Sequence, residues 1–380
     1  MNRLSGFRGH RTVGRRVSRL MFGVTAASAM VWGMAGIGAG AAAANTVIDT
    51  IPVENPVGVT ITPDGSRAYV TNQSENSVSV IGTGTNTVVD TVAVEDFPTG
   101  VAVTPDGSRV YVTNRDDNSV SVIGTAGNTV IDTVEVGNSP VGVAITPDGS
   151  RAYVTNRGGN AVSVIDTATT TVVESVTVGN SPRGVAITPD GSRAYVTNRE
   201  DDSVSVIDTA TTTVVDTVAV GSSPRGVAVT PDGSRAYVTN RGDDSVSVID
   251  TATTTVVDTV AVGDGPREVA VTPDGFRAYV TNTDGDSVSV IDTITTTEVE
   301  TVPVGDFPFG VAVTPDGSRA YVTNILDDTV SVIGVDRCLG SLCIATGSLV
   351  GGGSTGSGGA GSLVGGGSLA GLGSAGSTGS

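Results

Sequence analysis

A tyrosine recurs every 42 residues along most of this 380-residue chain, and the same phrase recurs around it. The phrase Arg-Ala-Tyr-Val-Thr-Asn stands at residues 151–156 and returns at 193–198 and 235–240. Because repeated units bury their apolar faces against their neighbours, a strict period constrains the architecture before any single residue does. The tyrosines mark seven repeats between residues 45 and 336: Tyr69, Tyr111, Tyr153, Tyr195, Tyr237, Tyr279 and Tyr321.

Each repeat contains four short runs rich in Val, Ile and Thr. In the fourth unit these runs are Gly184–Thr188, Arg193–Thr197, Ser203–Ile207 and Thr213–Val220, and turn residues separate them. Runs of this length with two-residue alternation are typical of β-strands, and Pro-Asp-Gly suits a tight hairpin. Seven four-stranded units of this size predict an all-β fold, a seven-bladed β-propeller of four-stranded antiparallel blades.

The two ends of the repeat region predict how the ring closes. The last repeat, 309–335, contains only three strands, whereas the segment 45–53 is a copy of the fourth-strand pattern at 128–136. We therefore expect the N-terminal strand to complete the last blade. Such closure leaves no gap between the first and last blades.

The copies of Tyr-Val-Thr-Asn, each preceded by Thr-Pro-Asp-Gly, resemble the YVTN family of seven-bladed β-propellers. That family includes archaeal surface-layer proteins and many exported bacterial proteins of unassigned role. The resemblance covers about 290 residues of this chain. It implies the fold strongly and the function weakly, because the same fold serves binding proteins, scaffolds and enzymes.

The first 44 residues have the features of an export signal. They contain six arginines and no acid, and an apolar stretch from Leu20 ends in the small residues Ala41–Ala44. This pattern predicts a signal peptide over residues 1–44, cut after Ala44, with an uncleaved membrane anchor as the alternative. Arg15-Arg16 is similar to a twin-arginine signal, so the export route stays open. We expect a secreted or cell-surface protein without a membrane span after cleavage.

Removal of this segment leaves 15 arginines, no lysine and 39 acids, a net charge of −24. A surface this acidic repels nucleic acid and anionic lipid, so we predict no nucleic-acid partner. Residues 345–380 are mostly Gly, Ser, Ala and Leu and predict a disordered tail. Between propeller and tail, the segment 337–344 contains both cysteines, Cys338 and Cys343. In an exported protein we expect them to form a disulfide.

The composition excludes several kinds of catalysis. Residues 45–380 contain no His, Trp, Met or Lys, which removes Ser-His-Asp triads, His-ligated metals and Schiff-base lysines. We therefore predict no cofactor and a non-catalytic protein. Hydrolysis by a carboxylate pair remains an alternative, although nearly every acid recurs at equivalent repeat positions, as structural residues do.

Two polar positions recur in all seven repeats, an arginine after the Pro-Asp-Gly turn and an acid midway along the fourth strand. This repetition favours packing or ion pairing between strands or blades. The turns after Tyr-Val-Thr-Asn are also rich in oxygen ligands, for example Asp284 and Asp286. Ordinary turn residues are the favoured interpretation there, and a calcium site is the alternative.

The repeats differ at two positions that a blade places on one face of the disc. One is the turn after Tyr-Val-Thr-Asn. The other is the residue after the proline that begins each blade, which we call the mouth residue: Val57, Thr99, Val141, Arg183, Arg225, Arg267 and Phe309.

The variable positions predict a binding face with a basic sector opposite an apolar one. Candidate ligand-binding residues are the mouth arginines, the turn arginines and three phenylalanines: Arg183, Arg225, Arg267, Arg115, Arg157, Arg199, Arg241, Phe97, Phe307 and Phe309. Arginines near one channel mouth suit a carboxylate or anionic glycan, whereas pairing with nearby turn acids is the structural alternative.

The favoured function is therefore an exported binding or scaffold module that acts through this face. Its partner would be a protein or an anionic glycan of the cell envelope. A repetitive surface-layer component is the first alternative, and an exported enzyme without histidine chemistry is the second.

Overall fold

The computed structural model describes residues 45–335 and the two short strands 337–339 and 342–344. Its strands form seven four-stranded antiparallel sheets and one two-stranded hairpin, and no helix occurs among these residues. The predicted seven-bladed propeller is thereby confirmed. The predicted signal peptide and Gly/Ser-rich tail lie outside the described residues.

Within blades 1 to 6 the four strands follow one another in sequence from the central channel to the perimeter. The strands of the first four blades, preceded by the N-terminal strand, are β1 (Thr46–Pro52), β2 (Pro56–Ile61), β3 (Arg67–Asn72), β4 (Ser77–Gly82), β5 (Thr87–Ala93), β6 (Pro98–Val103), β7 (Arg109–Asn114), β8 (Ser119–Gly124), β9 (Thr129–Glu135), β10 (Pro140–Ile145), β11 (Arg151–Asn156), β12 (Ala161–Asp166), β13 (Thr171–Thr177), β14 (Pro182–Ile187), β15 (Arg193–Asn198), β16 (Ser203–Asp208) and β17 (Thr213–Ala219).

The remaining strands belong to blades 5 to 7 and to the hairpin that follows them. They are β18 (Pro224–Val229), β19 (Arg235–Asn240), β20 (Ser245–Asp250), β21 (Thr255–Ala261), β22 (Pro266–Val271), β23 (Arg277–Asn282), β24 (Ser287–Asp292), β25 (Thr297–Pro303), β26 (Pro308–Val313), β27 (Arg319–Asn324), β28 (Thr329–Gly334), β29 (Arg337–Leu339) and β30 (Leu342–Ile344).

Blade 7 is closed by the N-terminal strand, as the sequence predicts. Its strand order is β1-β28-β27-β26, so its outermost strand comes from the opposite end of the propeller sequence. The antiparallel register runs from Thr46 opposite Gly334 to Pro52 opposite Thr329. The two ends of the repeat region therefore hold one sheet together.

The hydrophobic core lies between blades rather than within them. Tyr69 is fully buried and packs with Val80 of its own blade and with Val112 and Ile123 of blade 2. Its hydroxyl donates to Oδ1 of Asn128 in blade 2, at 2.9 Å. Equivalent clusters recur around the ring, and each tyrosine supplies a large apolar body with a polar tip.

The threonine of each Tyr-Val-Thr-Asn phrase joins neighbouring inner strands. Thr71 Oγ1 accepts the Gly58 N–H of its own blade at 2.8 Å and donates to the Thr99 carbonyl of the next blade at 2.9 Å. The same donation recurs in every blade, and Thr323 completes the ring by donating to the Val57 carbonyl at 2.7 Å. The acceptors are the carbonyl groups of the seven mouth residues.

This approach of neighbouring backbones explains the glycine that follows six of the mouth residues. A Cβ atom at Gly100 would lie 2.2 Å from the Val141 carbonyl oxygen, and one at Gly58 would lie 2.4 Å from that of Thr99. No side chain tolerates such a contact with a backbone atom, so the chain must shift or the residue must be glycine.

The recurring arginines and acids also join blades, but mainly by hydrogen bonds to neutral groups. Arg67 donates from Nη1 to the Thr125 carbonyl in the next blade at 2.9 Å, and Asn128 Nδ2 donates to Asp90 of the preceding blade at 2.9 Å. Arg277 differs from the other repeated arginines, because it forms an ion pair with Asp292 in its own blade.

The hairpin of β29 and β30 pairs Cys338 directly opposite Cys343. The disulfide between these cysteines stays a prediction. Among the residues that the structure describes, none lies in a helix long and apolar enough to cross a membrane.

Deletion of residues 45–54 removes the outer strand of blade 7 and exposes the ladder edge of β28. We expect this truncation to lower the melting temperature by about 10 °C or more, because several kcal/mol of pairing and burial are lost. Deletion from residue 345 onward should leave it unchanged. Equal melting temperatures for the two truncated proteins would contradict the shared blade.

Substitution of Gly100 tests the close approach of the inner strands. Gly100→Ala places a methyl group against the Val141 carbonyl, and we expect a loss of about 1–3 kcal/mol in the free energy of unfolding. The matched control is Gly84→Ala in a perimeter turn, where no atom lies within 4 Å of the new Cβ. Urea denaturation of both variants measures the difference, and similar losses would exclude the proposed steric cause.

Candidate functional site

Six of the seven mouth residues, all but Val57, line a cavity of about 150 Å³ in the central channel. The arginines at 183, 225 and 267 line it together with Glu268 and Phe309. Each inner strand begins at a proline, and the mouth residue is the second residue of that strand. The predicted mouth arginines are thus brought to one site.

The variable turns lie on the same face as the mouth residues. Pro182 at the start of β14 pairs with Asn198 at the end of β15, so the mouth residue adjoins the turn that follows Tyr-Val-Thr-Asn. The two turns are hydrogen-bonded to each other, for example from the Arg157 N–H to the Ser139 carbonyl at 3.0 Å. Sequence variation between blades is therefore concentrated around the channel mouth.

The mouth arginines are largely buried and short of acceptors. Arg225 is only 9% exposed, and the Nε–H groups of Arg183 and Arg225 have no hydrogen-bond acceptor within the described part of the chain. Burial, reinforced by neighbouring arginines, lowers the pKa of Arg183 to about 9 and that of Arg225 to about 10. The same causes lower the pKa of Arg267 well below its ordinary value. An anion in the cavity would relieve this repulsion.

Glu268 stands where the other six blades have glycine, and its carboxyl group projects into the site. Its Oε2 atom lies 2.8 Å from the position that a Cβ at Gly226 would occupy. Burial raises the pKa of this carboxyl to about 7, although Arg267 and Arg225 oppose the rise. The Glu268 side chain lines the cavity. Its carboxyl group forms no ion pair with any residue of 45–335.

Sequence reasoning missed Glu268, although a signal was present. The inner-strand pattern reads Pro-Arg-Gly-Val at 182–185 and 224–227 but Pro-Arg-Glu-Val at 266–269. Among the seven residues that follow a mouth residue, Glu268 is the one that is not glycine. The Thr281 hydroxyl still accepts the Glu268 N–H, at 3.0 Å, so the side chain is added without loss of the threonine contact.

The phenylalanines do not form a separate apolar sector, which corrects the expected arrangement. Phe309 lies in the cavity with the guanidinium carbon of Arg267 3.5 Å from its ring centroid. Phe97 contacts Arg115 in the same way, at 4.2 Å. Phe97 and Phe307 lie in the turns before the prolines of blades 2 and 7, outside the cavity lining. Basic and aromatic groups therefore adjoin instead of facing each other.

Most of the turn arginines meet turn acids, as the structural alternative predicts. Arg241 donates to both oxygens of Asp284, at 3.2 and 2.9 Å. Arg115 and Arg199 lie 3.1 and 4.0 Å from the acids that follow them in the sequence, and the fourth turn arginine, Arg157, has no ion pair within the described chain. Because such exposed pairs neutralise charge locally, the turn arginines are weaker ligand candidates than the mouth arginines.

The carboxylates of the alternative calcium site bind protein groups. Asp284 binds Arg241, and Asp286 accepts the Phe307 N–H at 3.0 Å. Across the described residues, no cluster of three or more His, Cys, Asp or Glu side chains is placed to hold a metal ion. These contacts support the interpretation of both acids as turn residues.

Comparisons with known families agree with the fold. The YNCE-like beta-propeller family matches residues 59–151 and 144–235, and the seven-bladed beta-propeller lactonase family matches residues 209–297. No curated protein matches the chain. The lactonase match spans Arg225, Arg267 and Glu268 of the cavity.

Among solved structures, the chain is similar to Kuenenia stuttgartiensis hydrazine synthase. The two chains are 29% identical, the match covers 74% of this chain and 96% of the other, and the TM-score is 0.70. Together, the family matches and the closed ring of seven four-stranded sheets place this chain among the β-propeller proteins.

Proposed function

We propose that this protein is an exported, non-catalytic binding module that captures an anionic group at the mouth of its propeller channel. The observation that carries the proposal is the cluster of three mouth arginines, two of which have an Nε–H group without an acceptor in the described chain, in a protein of net charge −24 after signal removal. Burial of like charges is costly unless a counter-charge is supplied. A bound anion would supply it.

The site favours a ligand that inserts one small acidic group. A cavity of about 150 Å³ is too small for an extended polymer, so most of a larger ligand would rest on the surrounding turns. Guanidinium groups bind carboxylate and phosphate oxygens in pairs, and the Phe309 ring offers an apolar surface beside them. An acidic sugar at the end of an envelope glycan or an acidic side chain of a protein fits this chemistry.

Lateral assembly into a surface layer, in the manner of part of the YVTN family, has weaker support. Apolar residues do line the perimeter, since Val89 is 57% and Ile131 is 53% exposed. However, each outermost strand carries a register shift beside an exposed acid such as Asp90. Bulges and charges on edge strands oppose strand-to-strand pairing.

A lactone hydrolase is the second candidate, and the lactonase match over the cavity residues favours it. In this reading the ionised Glu268 accepts a proton from water, which attacks the lactone carbonyl and opens the ring to a hydroxy acid. The mouth arginines stabilise the developing oxyanion. Activity would then rise with pH through about 7, the ordinary direction for a general base.

Simultaneous replacement of Arg183, Arg225 and Arg267 with Gln tests the binding proposal. Since charge-assisted hydrogen bonds contribute about 1.5–3 kcal/mol each, we expect galacturonate to bind this variant at least about 100-fold more weakly by calorimetry. The matched control replaces the turn residues Arg115, Arg157 and Arg199 with Gln and should change the affinity by less than about threefold. Unchanged affinity in a folded mouth variant would refute the proposed site.

The pH dependence of binding tests the role of Glu268. Below about pH 7 the neutral carboxyl can donate to a bound carboxylate, whereas above it the ionised group repels the anion and competes for the arginines. Affinity for galacturonate, whose carboxyl stays ionised between pH 5.5 and 8.5, should therefore fall across roughly this range, and Glu268→Gln should abolish the fall. Lactone hydrolysis that rises with pH in the unmodified protein, and disappears in Glu268→Gln, would instead support the enzyme.

A further inference from the structure

The seam between blades 6 and 7 contains a contact that a backbone nitrogen makes with a carboxylate. The Asn45 nitrogen lies 3.2 Å from Oε2 of Glu300 on β25, and Asn45 Nδ2 lies 2.6 Å from the same atom. The Tyr279 hydroxyl donates to Asn45 Oδ1 at 2.7 Å. Asn45 thus joins the first strand of the ring to two strands of blade 6.

Equivalent asparagines elsewhere use their backbone nitrogens differently. Asn86 occupies the same repeat position in blade 1, and its N–H donates at 2.8 Å to the Gly82 carbonyl at the end of the preceding strand. The side chain of Asn86 still contacts an acid of the neighbouring blade, Asp49. In blade 7 the third strand is β28, from the other end of the propeller, so Asn45 does not follow it in the chain. There the nitrogen of Asn45 contacts the Glu300 carboxylate of blade 6.

We propose that proteolytic removal of residues 1–44 creates an α-ammonium group on Asn45, and that this group forms an ion pair with Glu300 that closes the seam. The inference rests on the predicted export signal and is independent of the channel site. A signal-peptide-cleaving protease supplies the reaction, in which water breaks the Ala44–Asn45 peptide bond. The hydroxyl of water joins the Ala44 carbonyl carbon, and the released amine takes up protons to become the ammonium.

The surrounding charges favour the cation. Glu300 is half-buried and contacts Asn45, while Arg277 of the same blade is paired with Asp292. Tyr279 contacts the Asn45 side chain, and Asp49 on β1 accepts the side chain of Asn86. A carboxylate that accepts a neutral N–H before cleavage would face a full positive charge after it.

The absence of lysine from the whole chain allows a selective experiment. The full precursor is expressed in an exporting host, and the purified product is treated with an amine-acetylating reagent, which finds one primary amine per chain. N-terminal sequencing of the untreated product should begin at Asn45. A different N-terminus in the secreted protein would overturn the cleavage site.

The ion pair is measured by a double comparison of Glu300→Gln with α-amine acetylation in urea denaturation at pH 7. Glu300→Gln should lower the equilibrium ratio of folded to unfolded protein. We expect this ratio to fall about two- to fivefold more in the free-amine protein than in the acetylated one. Glu174→Gln alters the equivalent, exposed position of blade 3 and should show no such difference. Equal effects of Glu300→Gln in both forms would refute the pair.

The pH dependence of the unsubstituted protein gives a second readout. An α-amine normally titrates near pH 7.7–8.0, and pairing with a carboxylate raises its pKa in the folded state. The added stability should be fully present below about pH 7.7 and should be lost as the pH rises through the raised value. The acetylated protein should lack this loss, and identical pH profiles of the two forms would contradict the proposal.

Discussion

The hydrogen bond from the Tyr-Val-Thr-Asn threonine to the next mouth carbonyl is the contact on which the ring depends. It holds neighbouring inner strands so close that glycine is required beside it in six blades. The same hydroxyl satisfies an N–H of its own blade, so one side chain joins two strands that would otherwise present unpaired groups to the channel. Because Thr323 repeats the contact onto Val57, the ring has no first or last member.

This arrangement separates the contacts that hold the ring together, which we call the frame, from the residues that form the candidate site. The frame uses only the carbonyl group of each mouth residue, so its side chain is free to differ from blade to blade. Val141 and Arg183 therefore serve the same structural role while presenting different chemistry to the cavity. The tyrosines, by contrast, are fully buried between blades, so packing fixes the side chain at that position of every repeat. Functional differences accumulate where the frame does not specify the side chain.

The sequence predicts most of the fold because the determinants are periodic. The tyrosine spacing predicts seven blades, and the similarity of 45–53 to 128–136 predicts the shared seventh blade. The position of the mouth arginines also follows from the repeat. Their contacts do not, because the stacking of Arg267 on Phe309 depends on distances across the channel that no local pattern encodes.

Two features of the site needed the structure for other reasons. Glu268 is visible in the sequence as a substitution, but its raised pKa results from burial beside Gly226, which only the three-dimensional packing shows. The ion pair of Arg241 with Asp284 joins turns of two neighbouring blades. It neutralises the charge of Arg241 locally, although Arg241 and Arg157 occupy equivalent positions in the sequence repeat. Long-range electrostatics thus distinguishes residues that the repeat pattern treats alike.

Anomalous diffraction locates a bound anion in the channel directly. Crystals of the secreted protein grown with bromide would be measured at the bromine absorption edge. We predict a strong anomalous peak in the cavity between Arg183, Arg225 and Arg267, stronger at pH 6 than at pH 8, because neutral Glu268 leaves the arginines unopposed. Peaks confined to the turn arginines, with none in the cavity at either pH, would contradict the proposed site.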